Sequence, residues 1–170
     1  LQFGRIKIFS TFKNKKRKRS LFMKRNQLKI LSILQTDGKA THQEIGKKIG
    51  LSTSVVHKTI KDMEKNKIIK GYRANINLEK LGFDLIALFL IKANGPHIRR
   101  IVKSLKKDRS LESVYEITGE YDIAAMGKFK NRETMNKKIK ELLNDKNIES
   151  TNTSIVLSIE KEERNLDLLR

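Results

Sequence analysis

The 170-residue chain has no cysteine, no tryptophan, a single proline and only 6% aromatic residues. Lack of cysteine excludes disulfides, thiolate metal sites and cysteine nucleophiles. No apolar run approaches the roughly 18 to 20 residues that a membrane helix needs, the longest candidate covering residues 85 to 91. Acids are scarce as well: 19 Asp and Glu stand against 38 Lys and Arg, a formal charge of +19. Such an excess predicts a strong, salt-sensitive attraction for a polyanion. Hydrophobic residues at 38% suffice for a core in one ordinary domain or two small ones.

The charge is unevenly placed. Residues 1–22 carry +8, residues 23–72 carry +7 and residues 73–170 only +4. A polyanion should therefore meet the N-terminal part, and the last hundred residues should do something else. Residues 1–22 end in a basic run, lack helical or hairpin organisation, and are expected to be disordered when free. A phosphate-contacting arm and a localisation signal are two readings of them. The preferred one is a non-native extension, with Met23-Lys24-Arg25 as the natural start.

The organising stretch is THQEIGKKIGLSTSVVHKTI, residues 41–60. Thr41 with Glu44 makes a capping box, and Ile45 and Ile49 give the helix one apolar stripe. Gly50 ends it in the left-handed conformation, Leu51 plugs the corner, and Ser52 caps a second helix with Val56, Ile60 and Met63 inward. Gly46 is small where the helices cross. The pattern is a helix-turn-helix, and a preceding helix over residues 26–36, with Leu28, Leu31 and Leu34, covers its apolar side. Winding the third helix at about 100° per residue puts Ser54, Lys58, Lys61 and Lys65 outward. Short polar groups suit base edges and lysines suit phosphates, so these four, with Ser52, Thr53 and His57 at the flanks, are the candidate DNA contacts. A solvated charged face would look similar in so lysine-rich a chain.

Residues 68–76 (IIKGYRANI) read as a strand or wing bent at Gly71, and residues 73–83 as wing and linker. A second domain then spans 84–165, with a tail at 166–170. Strands are expected at 85–93, 114–118, 121–129 and 150–159, and helices at 98–107 and 132–143. This βαββαβ order is the ferredoxin-like arrangement, an antiparallel sheet with both helices on one face, so the fold class is α+β. The uncovered sheet face needs a partner, which predicts a homodimer or a larger assembly such as a tetramer or octamer.

Taken together, head, wing and second domain resemble the Lrp/AsnC (leucine-responsive, feast/famine) regulators over residues 24–165. The resemblance is carried by Leu51-Ser52, by Glu64 followed by Ile68-Ile69-Lys70-Gly71-Tyr72, by Leu81-Gly82, and by Thr118-Gly119-Glu120-Tyr121-Asp122. It implies a cytoplasmic, sequence-specific transcription regulator acting on double-stranded DNA. It further implies a free amino acid as effector, bound between subunits by Thr118, Gly119, Glu120, Tyr121 and Asp122 of one chain, with Thr153, Ser154 and Ile155 across the interface. The residues alone read as a hairpin turn at Gly119, whose backbone N–H groups could hold a carboxylate while Asp122 holds an ammonium group. Two departures stand out: Thr59 replaces the family's usual arginine, and Lys67 its glycine, for which Asn66 is expected to supply the left-handed cap.

Chemistry is thinly represented. His42, His57 and His97 lie far apart in the chain, and no phosphate-binding glycine loop, nucleophile elbow or paired His-Glu motif occurs. No cofactor, metal or membrane contact is expected, and an enzyme related to haem-precursor decarboxylases is the weaker reading. A DNA-packaging protein of low sequence specificity fits the charge equally well. Abundant Lys and Ile with one Pro suggest an AT-rich or thermophilic prokaryote.

Overall fold

The structure is a computed structural model that describes residues 23–163 and 166–169. The basic stretch 1–22 lies outside the described residues, and with it the readings of it as an arm, a signal or an extension. Two compact units result, one ending at Arg73 and one spanning Ala74–Glu163.

The first unit holds three helices, α1 (Arg25–Thr36), α2 (His42–Ile49) and α3 (Thr53–Lys65). Local chemistry sets each end. The Lys24 N–H donates to Gln27 Oε1 at 2.8 Å to start α1. Thr41 and Glu44 form the reciprocal capping box of α2: the Thr41 N–H donates to Glu44 Oε2 at 2.7 Å and Glu44 N–H to Thr41 Oγ1 at 3.2 Å. Those bonds, first from the Thr41 backbone and then from its hydroxyl, hold the Glu44 carboxyl below its ordinary range, with Lys48 and Lys47 adding to the effect. Ile30, Ile45, Val56, Ile60 and Met63 form the core, closed by Leu51, Ile68 and Ile69.

One cap differs from expectation. Asn66 is not left-handed (φ −82°); Lys67 is, at φ 58°. The Ile68 N–H bonds Met63 O at 2.9 Å and the Lys67 N–H bonds Glu64 O at 2.9 Å, a Schellman ending with Lys67 in the place that favours glycine. Its register follows from Ile68, which must meet Met63 in the core. Lys67→Gly should therefore raise stability by roughly 1 kcal/mol, read as a higher denaturant midpoint, since a side chain in this conformation costs about that much.

The expected strand at 68–76 is also absent: the segment bends at Ile68 and Ile69, continues without regular structure, and pairs with no strand among the described residues. Ile68 and Ile69 are drawn into the head core instead, and the Tyr72 hydroxyl donates to Glu64 at 3.1 Å. Burial and that carboxylate partner push the Tyr72 hydroxyl above its ordinary value.

In the second unit β1 (Leu85–Ala93), α4 (Ile98–Leu105), β2 (Leu111–Glu116), β3 (Ile123–Phe129), α5 (Arg132–Leu143) and β4 (Ile148–Ile155) form a sheet in the order β2-β3-β1-β4. Its strand pairs are antiparallel. Alternation along β1 sends Ala87, Phe89, Ile91 and Ala93 to the helices, where they meet Ile101, Val102 and Leu105 of α4 and Met135 and Leu142 of α5. Phe89 and Phe129 pack edge to face at 6.0 Å. β2 and β4 each begin and end earlier than expected. The ladder of β4 ends at Ile155, opposite Ala87, and the Val156 N–H adds one last bond to Ile86 O.

One buried cation ties the helical layer together. Lys138 of α5, only 8% exposed, pairs with Asp108 after α4, and Asp108 also accepts from the Ser110 N–H at 2.8 Å. Burial raises the Asp108 carboxyl, but bonds from Lys138 and Ser110 outweigh it and leave the group below its ordinary value. Because the folded value is the lower one, this stabilisation is present in full above the usual carboxylate value of about 4 and is lost as pH falls through the folded value. Lys138→Met should cost about 1–3 kcal/mol at neutral pH by stranding Asp108. Asp108→Asn should flatten the acid limb of stability, measured by urea unfolding from pH 7 to pH 3.

Candidate functional site

Gly46 sets the geometry of the head. A Cβ there would lie 2.5 Å from the Leu51 carbonyl oxygen, so α2 reaches the turn with no room for any side chain. Gly50 takes φ 72° and its N–H bonds Gly46 O, turning the chain into Ser52, whose hydroxyl accepts from the Val55 N–H at 3.4 Å. With Val56, Ile60 and Met63 buried, the opposite side of α3 faces solvent. Ser52, Thr53, Ser54, His57, Lys58, Lys61 and Lys65 are all exposed. Ser54, Lys58, Lys61 and Lys65 make one row about 16 Å long on the helix rise. A helix this size fits the roughly 12 Å wide major groove. Thr59 does not join the row: its hydroxyl donates to Val55 O at 2.8 Å within its own helix.

His42 and His57, distant in sequence, meet across α2 and α3 with ring centroids 5.0 Å apart. Nothing in their sequence neighbourhoods signals the contact, because it depends on the helix crossing. Among the described residues no group of three or more His, Cys, Asp or Glu is placed to hold a metal ion. No described helix is long and apolar enough to cross a membrane.

Residues 117–122 form a six-residue loop instead of a tight turn. The Ile117 N–H bonds Asp122 O at 2.8 Å, and Gly119 takes φ 120° at the apex. Thr118, Gly119 and Glu120 are exposed, while Tyr121 and Asp122 are half-buried. The backbone N–H groups of residues 118–121 have no partner among the described residues. Asp122 is already engaged: its Oδ2 accepts from the Ala93 N–H at 2.8 Å, and its own N–H bonds Ile91 O at 3.0 Å. The carboxylate thus extends the β1–β3 ladder past the end of β3. The sequence could not reveal this bond, which occupies one oxygen of the carboxylate that was expected to hold an ammonium group.

Thr153, Ser154 and Ile155 lie opposite Phe89, Leu88 and Ala87. The loop lies at the other end of β1, level with Ile91 and Ala93, so one chain does not bring the two halves of the expected pocket together. Ser154 shares the open sheet face with Leu88; Thr153 and Ile155 alternate to the helix side. That open face carries Ile86, Leu88 and Leu90 of β1 beside Ala124 and Met126 of β3. A groove of about 580 Å³, missed by sequence reasoning, lies between residues 75–86 and 156–162. Lys128 lines it and bonds Glu162 at 2.6 Å, but none of the expected effector residues does.

Residues 23–70 match the winged helix-turn-helix DNA-binding family profile, and residues 86–166 match that of the Lrp/AsnC ligand binding domain. An uncharacterized HTH-type transcriptional regulator of Pyrococcus abyssi is 40% identical over 139 residues, covering 82% of this chain and 95% of that protein. The HTH-type transcriptional regulator FL11 of Pyrococcus furiosus is 37% identical over 134 residues, 79% of this chain and 89% of that one. Among solved structures, a Neisseria meningitidis transcriptional regulator in complex with L-Met superposes with a TM-score of 0.80 at 23% identity, covering 85% of this chain and 96% of that chain. E. coli AsnC gives 0.79 at 22% identity, with 85% and 98% covered.

Proposed function

The chain belongs to the Lrp/AsnC family of helix-turn-helix transcriptional regulators, and from that premise we propose that it reads a specific operator as a homodimer or a multiple of one. Two α3 helices, one per subunit, enter successive major grooves about 34 Å apart on an approximately palindromic site. Ser52, Thr53, Ser54 and His57, near the start of α3, address base edges, and Lys58, Lys61 and Lys65 address phosphates. The observation that carries this reading is the outward row on α3, held in place by the Gly46–Leu51 crossing. The subunits join through the open sheet faces, and the protein works in the cytoplasm with its DNA.

A free amino acid is the effector. Its carboxylate sits on the unpartnered N–H groups of Thr118, Gly119, Glu120 and Tyr121. Asp122 steadies the loop and faces the ammonium group, while the second subunit supplies Ser154 with its neighbours Thr153 and Ile155. Effector binding shifts spacing between the heads only by favouring one assembly over another.

Selection from a pool of random duplexes with the full chain tests the core of the proposal. A recovered palindrome bound roughly a thousandfold or more above random duplex is expected. Equal affinity for all duplexes, steeply dependent on salt, overturns it in favour of the packaging role that the +19 charge also suits. A thermal-shift screen of the individual amino acids tests the effector separately: one or a few should raise the melting temperature, and Gly119→Val should remove the response. No shift with any amino acid defeats the effector assignment and leaves DNA reading intact.

A further inference from the structure

We propose that the outer face of α4, in the second unit, is an auxiliary and sequence-independent contact surface for the backbone of duplex DNA flanking the operator. The proposal rests on the regulator reading, which makes DNA the polyanion at hand.

The near-neutral charge of this unit conceals a segregation. Residues 97–109 (HIRRIVKSLKKDR) hold six Lys or Arg and one acid, whereas the remainder of residues 74–163 holds ten against thirteen. Ile101, Val102 and Leu105 anchor the helix in the core. Arg99, Arg100, Lys103, Lys106 and Lys107 are all exposed. Wound at 100° per residue, Arg99, Arg100 and Lys103 of α4 fall within an arc of about 100° and along about 6 Å of axis, and Lys106 and Lys107 carry the basic ridge on through the turn that ends the helix. Duplex DNA carries one negative charge per ~1.7 Å of axis, so a ridge of this length spans several phosphates.

The cations are also uncommitted. None of the six forms an ion pair with a described carboxylate, in contrast to Lys128, Lys138 and Lys161. Asp108, the acid within the segment, is taken by Lys138 and Ser110. Asp145 lies near Arg100 and His97 but is held by the Asn147 N–H at 3.0 Å and its side-chain amide at 2.6 Å. A surface serving solubility alone mixes both signs. A membrane-binding helix would add apolar or aromatic residues at the edge of the basic stripe, and the outward positions of α4 offer only cations and Ser104.

The test compares the full chain with R99Q/R100Q/K103Q/K106Q/K107Q on two duplexes carrying the selected operator, one of about 20 base pairs and one of about 60. On the long duplex the variant should bind about tenfold or more weakly near 0.15 M salt. Its slope of log affinity against log salt should be shallower by about 0.9 for each phosphate that the variant no longer neutralises. On the short duplex it should match the unaltered chain. Arg99→Lys with Arg100→Lys, which keeps the charge, should retain long-duplex affinity. A milder variant, K103Q/K106Q/K107Q, should show a smaller loss of the same kind should the fivefold change disturb folding by circular dichroism. Unchanged long-duplex binding overturns the proposal, as does an equal loss on both duplexes. Variant-sensitive capture on phosphatidylserine vesicles without any change on DNA would overturn it in favour of a membrane. Failure of the unaltered chain to select any operator is a different result and defeats the regulator reading itself.

Discussion

Gly46→Ala should abolish operator binding while leaving the second unit folded. The added Cβ would sit 2.5 Å from the Leu51 carbonyl oxygen, with the Leu51 and Ser52 carbonyl carbons at 3.5 and 3.7 Å. All three are backbone atoms, so no rotamer change relieves the overlap. Either α2 moves away from the turn or the turn moves, and the turn is what aims α3. Ile45, beside Gly46, is fully buried against the same core, so displacement also opens a gap around it. Overpacking of this kind costs typically 1–3 kcal/mol and more against rigid backbone. A three-helix head of about fifty residues has little stability to lose. Operator affinity should fall at least a hundredfold, and circular dichroism should lose helical signal while a separate sheet transition remains. Gly50→Ala is the control: its Cβ meets nothing within 4 Å, but φ 72° strains any side chain. It should cost about 1 kcal/mol and spare the geometry. Wild-type binding by Gly46→Ala would mean that the helices do not cross as described.

The head was legible because its punctuation is local. Thr41 with Glu44, Gly50, and Ser52 each fix a helix end through contacts within a few residues, and all act as the sequence implies. The residues 85–93 and 132–143 were equally clear; Asn131, for instance, caps α5 with its side chain. The bounds that differ from the sequence pattern are those that a distant partner decides. β2 starts at Leu111, opposite Gly127, and its ladder ends at Glu116 because the Ile117 N–H turns across the loop to Asp122. Val156 to Ile159 looks like more strand, yet the pairing with β1 ends at Ile155 and residues 156–159 line the groove beside residues 75–86 instead. Propensity favours Asn over Lys in the left-handed cap, but the demand of Ile68 for the core places that conformation one residue later. The open sheet face was foreseen from the order of elements alone. The bond of Asp122 to the Ala93 N–H was not: Asp122 is legible as a carboxylate three residues after Gly119, and that bond is a fact of tertiary structure.

Leu88→Asp should convert the proposed dimer to a monomer. Leu88 is mid-strand in β1, flanked across the sheet by Met126 of β3 and Ser154 of β4. It centres an apolar strip with Leu90, Ala124 and Met126, all half-buried, bounded by Lys92 and Lys128 on the same face and by Asn152 and Ser154 along β4. An apolar centre with a polar margin is the usual anatomy of an association surface. In an isolated subunit Leu88 is only half-buried, so a carboxylate there can hydrate and the fold should survive. In a face-to-face dimer it would be buried without a cation, a cost of several kilocalories per mole incurred in both subunits. Light scattering should report half the mass of the unaltered protein, with the circular dichroism spectrum retained. The effect on DNA follows from linkage. Two heads joined through the sheets present the second half-site at an effective concentration near the millimolar range, and separation removes that gain. Affinity for the palindrome should fall by roughly two to three orders of magnitude, while affinity for a single half-site stays constant. A variant that remains dimeric would show that the open face is not the interface, and equal losses on half-site and palindrome would show damage to the head instead of to the pairing.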